Sequence, residues 1–448
     1  MESTRLRTIP GVGTLEALRG FSRFGFLDYI GRLWKQYGDV FEIKIFSRRM
    51  VVAMHPDAVR HVNVINRQNY DKRHSYDLVR RYLTGNGLLS SQGDLWRRQR
   101  KLMAPFYTPK GVQAYGEIML KDGQRLLERW SRLDGRKVEI GEEMTFVTAS
   151  IILRSMFSMD TDEAIIGMKK AVETMIGYVG RKQNGLASPA WLPTRTNRDY
   201  WKAREMVHSY IQSVIEKRRS LPEAEWPNDL LTRLMQARDE ETGEPMSEGL
   251  LRDESITTFF AGHETTARTM TFAWYALAAN PHVADKLHSE LDTVLGERQP
   301  TLDDLHQLPY TLQVIKEVLR LYPPAPFYIR DALARDELGG FDTQGSPVLM
   351  SPYYTHRHPD FWDDPLTFNP DRWTPEGEAD MHPYAYHPFA AGQRVCIGNN
   401  FSLLESHILL SLLAREYAPR LAPGFKPKFV MGGTLGTSNG FPMIIERR

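Results

Sequence analysis

The sequence predicts a mainly α-helical chain with small β-sheets (α+β), and three observations carry that prediction. Helical hydrophobic patterning dominates residues 56–330, strand-type patterning is confined to short stretches before and after it, and no repeat or low-complexity linker interrupts the chain. The 448 residues are 42% hydrophobic and 25% charged, which is ordinary globular usage and length enough for a large core. With no break in composition, residues 1–448 are expected to form a single domain.

Thr8-Ile9-Pro10-Gly11-Val12-Gly13 reads as a turn-rich lead-in. Val40–Ile45 alternates in part and Met50–Met54 is a buried-type apolar run, so two strands are expected between about 38 and 55. A long helix is expected from about Glu248 to Asn280, with Ser247 as its N-cap and Pro281 beyond its end. At 1.5 Å per residue it spans about 50 Å. Tyr310–Leu321 forms another helix, started by Pro309 and ended by Pro323-Pro324. A Pro- and Gly-rich strand-and-turn stretch runs to about 395. Ile397–Tyr417 is again helical, with Phe401, Leu404 and Ile408 on one stripe, and short strand signals around Gly432-Gly433 and Phe441–Met443 follow.

Several function classes are set aside at this level. A net charge of +2 with dispersed basic residues gives no nucleic-acid signal. The N-terminal region holds no apolar run long enough for a signal peptide or a bilayer span, so a cytoplasmic protein without a membrane span is expected. The one cysteine, Cys396, admits neither an internal disulfide nor a multi-cysteine zinc site.

That cysteine sits in Phe389-Ala390-Ala391-Gly392-Gln393-Arg394-Val395-Cys396-Ile397-Gly398, a glycine-punctuated loop just before a helix. A helix N-terminus favours a thiolate there. Gly392 and Gly398 permit tight turning and approach by a flat partner, and Arg394 offers a cation to an acidic group on it. Such a thiolate, as axial ligand to heme iron, promotes O–O cleavage. The bland alternative is an inert buried thiol.

Ala261-Gly262-His263-Glu264-Thr265-Thr266 lies midway along the long helix. Gly weakens a helix interior and Thr bonds back to the preceding turn, so a local opening able to hold O2 and water is expected. Thr265 would steady dioxygen and Glu264 would feed protons. A zinc HExxH site fails because the second histidine position is Ala267; a polar patch satisfied within the core remains the alternative. Glu317 and Arg320 share a helix face three residues apart, before Phe368-Asn369-Pro370-Asp371-Arg372-Trp373. Trp96 and Arg100, one turn apart, are both hydrogen-bond donors.

These motifs, in this order from Trp96 to Gly398, resemble those of the cytochrome P450 family: WxxxR, AGxET, ExxR, an FxPxR-like motif, and the cysteine signature FxxGxRxCxG matched at every fixed position. The resemblance implies that family's fold, with heme b between the long central helix and the helix after the cysteine loop. It makes Cys396 the axial ligand and Phe389 and Gly398 parts of the heme loop. Trp96, Arg100, Arg330 and Arg394 become contacts for the heme propionates, with Lys72 a weaker candidate. Glu317, Arg320 and Arg372 become a buried triad behind the heme.

The implied function is hydroxylation of a lipophilic small molecule (fatty acid, terpenoid or steroid) with O2. The two electrons would come from a separate ferredoxin- or flavodoxin-type partner with its reductase, since no flavin or iron–sulfur module is fused to the chain. Arg97, Arg98, Arg100 and Lys101 would offer that partner a basic surface, and a monomer is expected. The substrate pocket implied by the family's layout involves Leu78, Leu83, Leu88, Leu89, Phe260, Ala261, Ala325–Phe327 and Leu435. Arg48 and Arg49 point weakly to a fatty-acid carboxylate. Two rivals are a peroxide-driven peroxygenase and a heme-binding sensor or carrier without turnover; the Glu264-Thr265 pair argues against the first, and the second would not require Thr265.

Overall fold

The computed structural model describes residues 7–159, 162–183, 188–239 and 242–448. Two units emerge. The first gathers the chain up to Ser75 with Lys316–Cys396 and Pro427–Asn439; the second gathers Tyr76–Ile315, Ile397–Lys426 and Gly440–Arg448. The chain is mainly helical with small sheets, as the sequence predicts.

The first unit is organised by a six-stranded mixed sheet in the spatial order Gly11–Val12, Val40–Ile45, Arg48–Ala53, Val348–Met350, Tyr328–Ala332 and Tyr70–Asp71. The two predicted strands form its antiparallel hairpin, Val40 facing Ala53 and Ile45 facing Arg48. Val51, Ala53, Val348, Met350 and Tyr328 pack with Ile9, Val59 and Val62 in one apolar cluster, and burial at about 25 cal/mol per Å² drives that packing. At the other edge Tyr70 pairs with Ala332 and Asp71 with Asp331, antiparallel. The expected lead-in is itself partly a strand, Gly11–Val12, parallel to Val40–Ile45. A helix over Thr14–Tyr37, absent from the sequence reading, bends at Gly25 (φ 75°).

Glu317 and Arg320, in the last turns of the helix Pro309–Leu321, are both wholly buried. Arg320 Nε and Nη2 each donate to Glu317 at 2.8 Å, and its remaining bonds go to the carbonyls of His356 (2.8 Å), Pro365 (2.8 Å) and Thr367 (2.9 Å). Glu317 also accepts from Asn369 N (2.8 Å), Arg372 Nε (3.2 Å) and Trp373 Nε1 (3.0 Å). Trp373 is the member the sequence reading missed.

The second unit is helical. Its axis is Glu248–Ala279, within one residue of the expected helix; Ser247 caps it by accepting from Leu250 N at 3.3 Å. It packs extensively on Ile140–Phe157, with Gly262 so close to Ile152 that a Cβ would lie 3.1 Å from the isoleucine side chain. Asn399–Ala414 packs on Gly116–Ser131 through Gly123, where a Cβ would come within 2.5 Å of Leu412. Asp162–Gln183 and Arg195–Arg219 pair through the stacked rings of Tyr178 and Tyr200, 4.0 Å apart. A small sheet of Arg420–Leu421, Pro442–Ile444 and Lys137–Glu139 completes the unit. Among the described residues no helix is long and apolar enough to cross a membrane.

Because Glu317 and Arg320 satisfy each other without solvent, removing one strands a buried charge. Arg320→Leu should therefore destabilise the protein by about 3–5 kcal/mol, measured as a shift in the urea midpoint against wild type. A change under about 1 kcal/mol, the range of exposed pairs, would contradict the closed network.

Candidate active site

In the first unit the loop before Cys396 is held by its own backbone. Cys396 N donates to Phe389 O at 2.8 Å and Val395 N to Gly392 O at 3.1 Å. Gly392 has φ 67°, and a Cβ on it would fall 1.9 Å from Asn63 O, so only glycine fits. Ala390 takes a left-handed φ of 61°. The outcome is an exposed sulfur on a fixed loop; the inert buried thiol is not what this chain builds. The helix that follows begins at Asn399, with Gly398 as its N-cap residue, two residues later than expected.

Around that sulfur the same unit places three cations. Arg330 and Lys72 are nearly fully buried, and Arg394 exposes only 5% of its side chain. One step further along the antiparallel register from Asp71–Asp331, Lys72 comes level with Arg330. Burial pushes the Lys72 ammonium well below the usual lysine range; Arg330 and Arg394 push it further, while Cys396 and Asp71 oppose. Asp71 is the carboxylate among them, ion-paired with Arg394. Asp331 is engaged elsewhere, accepting from Arg73 N (2.7 Å), Ser75 N (3.1 Å) and Ser75 Oγ (2.7 Å). A thiol beside clustered, desolvated cations fits an iron macrocycle bearing acidic side chains: the sulfur suits the metal and the cations suit the acids. Asp71 and Asn63 carried no sequence signal, because Arg394, which Asp71 pairs with, and Gly392, which Asn63 O crowds, lie more than 300 residues away.

In the second unit the helix runs unbroken through Ala261–Thr266, so the expected opening of its ladder is absent. What weakens it is confined to carbonyls that take an extra donor: Thr265 Oγ1 donates to Ala261 O at 2.8 Å and Thr148 Oγ1 to His263 O at 2.9 Å. The helix instead has a window, since Phe260, Ala261, Gly262, Glu264 and Thr265 are only part-buried while residues 254–259 are buried. Glu264 lies 3.9 Å from Arg268. Thr266 faces the core, its hydroxyl 3.2 Å from Ser402 and also bonded to Glu405, whose carboxyl burial drives well above its usual range. His263 is a core histidine bonded to Phe259 O at 2.8 Å.

Trp96 and Arg100 share a face of the helix Gly93–Met103; Trp96 is buried, Arg100 part-buried, and Arg97, Arg98 and Lys101 are exposed. Trp191, which has the same spacing to Arg195, is 80% exposed in a turn and is no rival. Of the pocket residues expected in this unit, Leu83 and Leu88 are buried and Leu89 is part-buried; in the first unit Leu435 N donates to Pro324 O at 2.9 Å, tying Leu435 to the segment that holds Ala325–Phe327.

A single thiol on a glycine-shaped loop, in a mainly helical chain, defines a heme-thiolate protein. The family profile described as Cytochrome P450 matches residues 7–441, and the chain belongs to that family. Cyclooctat-9-en-7-ol 5-monooxygenase of Streptomyces melanosporofaciens is 34% identical over 87% of this chain and 84% of its own. Cyclooctatin synthase of the same organism is 33% identical over 91% of this chain and 89% of its own. The crystal structure of the cytochrome P450DA heme domain superposes with a TM-score of 0.91 at 27% identity, covering 99% of this chain and 98% of that one. The protein is thus a cytochrome P450 monooxygenase with heme b as its cofactor, requiring O2 and a redox partner.

Glu254, on the long helix, was not flagged by its sequence. It is wholly buried and accepts from Leu88 N at 3.0 Å; burial first, then the neighbouring Asp253 charge, pushes its carboxyl up to about 8. The folded chain therefore holds a proton that the unfolded chain has released, so stability falls as pH rises from about 4.5 to about 8. Glu254→Gln should remove that slope. Its advantage over wild type, absent below pH 4.5, should reach roughly 3 kcal/mol by pH 7 in urea unfolding. Parallel stability curves would contradict it.

Proposed function

We propose that this monooxygenase hydroxylates a cyclic terpenoid, with electrons from a separate ferredoxin- or flavodoxin-type carrier, as a cytoplasmic monomer formed by one catalytic domain. The observation that carries the heme-site reading is the exposed Cys396 sulfur beside the buried Lys72, Arg330 and Arg394. Cys396 would hold the heme iron as a thiolate ligand, on a loop shaped by Phe389, Gly392 and Gly398. In the first unit Arg330 and Arg394 would pair with the propionates and Lys72 would add charge; in the second unit Trp96 and Arg100 match the family's propionate-binding motif. The bound heme supplies the capacity to activate O2 for insertion into an unactivated C–H bond.

Thr265, whose hydroxyl donates to Ala261 O at 2.8 Å at the window of the long helix, would offer that hydroxyl as a hydrogen-bond donor, and Glu264 would be the carboxyl that supplies it with protons. The exposed Arg97, Arg98 and Lys101 favour an acidic electron carrier.

Two observations favour a terpenoid. The relatives named for cyclooctatin act on terpenoids. Of Arg48 and Arg49, read as weak pointers to a fatty-acid carboxylate, Arg49 is ion-paired with Glu42 and bonded to Gln344 Oε1 at 2.7 Å, while Arg48 is exposed.

Cys396→Ser should abolish the thiolate-type Soret band of the reduced carbon monoxide complex; its survival would refute the ligand assignment. Thr265→Ala should keep ligand binding but divert most reducing equivalents from product, a loss of coupling on the order of a hundredfold, the low end for one acid–base group. Titrating ferric protein with cyclic terpenes and with fatty acids should shift the Soret band for the terpenes; a shift for fatty acids alone would overturn the substrate class.

A further inference from the structure

The segment Thr84–Gln92 is attached to the long helix through its backbone. Asn86 N donates to Asp253 at 2.8 Å, Leu88 N donates to Glu254 Oε2 at 3.0 Å, and Asn86 O accepts from Gln99 Nε2 at 2.6 Å. Two glycines permit the approach. A Cβ on Gly87 would lie 2.0 Å from Thr257 Oγ1 and 2.7 Å from Asp253 O; one on Gly85, at φ 54°, would lie 2.3 Å from the Asp253 carboxylate.

Glu254, Ala261 and Thr265 fall on one stripe of the helix, seven and then four residues apart. The attachment is therefore about 10 Å along the axis from the window at Ala261. Glu254 uses only one oxygen. Its Oε1 is buried with no hydrogen-bond partner among the described residues. A buried carboxyl with an unsatisfied oxygen costs stability that an apolar side chain would not. The one bond it makes is to the loop.

We infer that Glu254 is a positioning residue for substrate selection, seating the Gly85–Ser91 loop, with Leu88 and Leu89, against the long helix beside its window. This rests on the reading of Leu88 and Leu89 as walls of the terpenoid pocket. Burial keeps the carboxyl protonated at neutral pH, so it acts as a neutral acceptor. The amide oxygen of glutamine can do the same, and alanine cannot.

The test uses holoprotein, hydrogen exchange of the peptide covering residues 85–91, and optical titration with imidazole and with monoterpene, sesquiterpene and diterpene alcohols. Glu254→Gln should exchange no faster than wild type in the loop and bind every probe within about twofold of it, because the acceptor survives. Glu254→Ala should exchange about tenfold faster in the loop and bind terpene alcohols about tenfold more weakly, the effect of one lost hydrogen bond, with imidazole affinity unchanged. Gly87→Ala, which collides with Thr257 while leaving Glu254 intact, should reproduce the alanine phenotype and decides the matter if Glu254→Ala fails to retain heme. Wild-type loop exchange in Glu254→Ala or Gly87→Ala, or a glutamine variant as impaired as the alanine one, overturns the inference. Wild-type protein that binds imidazole but no terpene sinks the substrate class instead, and loop exchange still decides the seat.

Discussion

The segment from Ser351 to Trp373 in the first unit has little regular structure, and its carbonyls find no sheet ladder to accept from. Arg320 supplies the donors. Its planar guanidinium reaches the carbonyls of His356, Pro365 and Thr367 while staying paired to Glu317, which is five bonds from one side chain. Glu317 answers with Asn369, Arg372 and Trp373 on the same segment. A buried ion pair adds little net stability over an apolar pair of equal volume, because desolvation offsets attraction. What it fixes here is geometry: a chain path that no helix or strand would hold, leading into the cysteine loop. Lysine could not replace arginine, having three donors and no plane.

The electrostatics of the same unit run the other way. Glu317 and Arg320 close on each other, whereas Lys72, Arg330 and Arg394 gather around one carboxylate and one thiol. Like charges desolvated together are costly, and the depressed Lys72 records that cost. A fold tolerates such an arrangement where a ligand relieves it. A doubly acidic, iron-bearing macrocycle bound there would relieve both halves, its acids pairing with the cations and its iron with the ionised sulfur. Binding of the cofactor and stability of this unit are then one equilibrium seen from two sides.

How much of this could be read in advance depends on how local each cause is. The long helix was legible to within a residue because Ser247 and Pro281 mark its ends in the sequence. The hairpin strand Val40–Ile45 was legible from its pattern. Thr14–Tyr37 was not, because left-handed Gly25 divides it, and the apolar positions before the bend fall out of phase with Leu27, Ile30 and Leu33 after it. The expected opening at Gly262 erred for a different reason. Glycine there serves close packing on Ile152, so its propensity cost is offset by helix–helix contact and the ladder stays intact. Cys396, Glu317 and Arg320 stood out as motifs; Asp71, Asn63 and Glu254 did not, since each acts on a group distant in sequence.

The second unit divides its work between side chains and backbone. In the proposed reading Thr265 and Glu264 would act through their own atoms, so substitution there would change chemistry directly. The loop at Leu88 is held by peptide N–H groups on two consecutive carboxylates, Asp253 and Glu254, with glycines where any side chain would intrude. Leu88 is itself buried, so its side chain packs where the backbone bonds place it. Such an arrangement fixes the loop, through its backbone, to the same helix that carries Glu264 and Thr265.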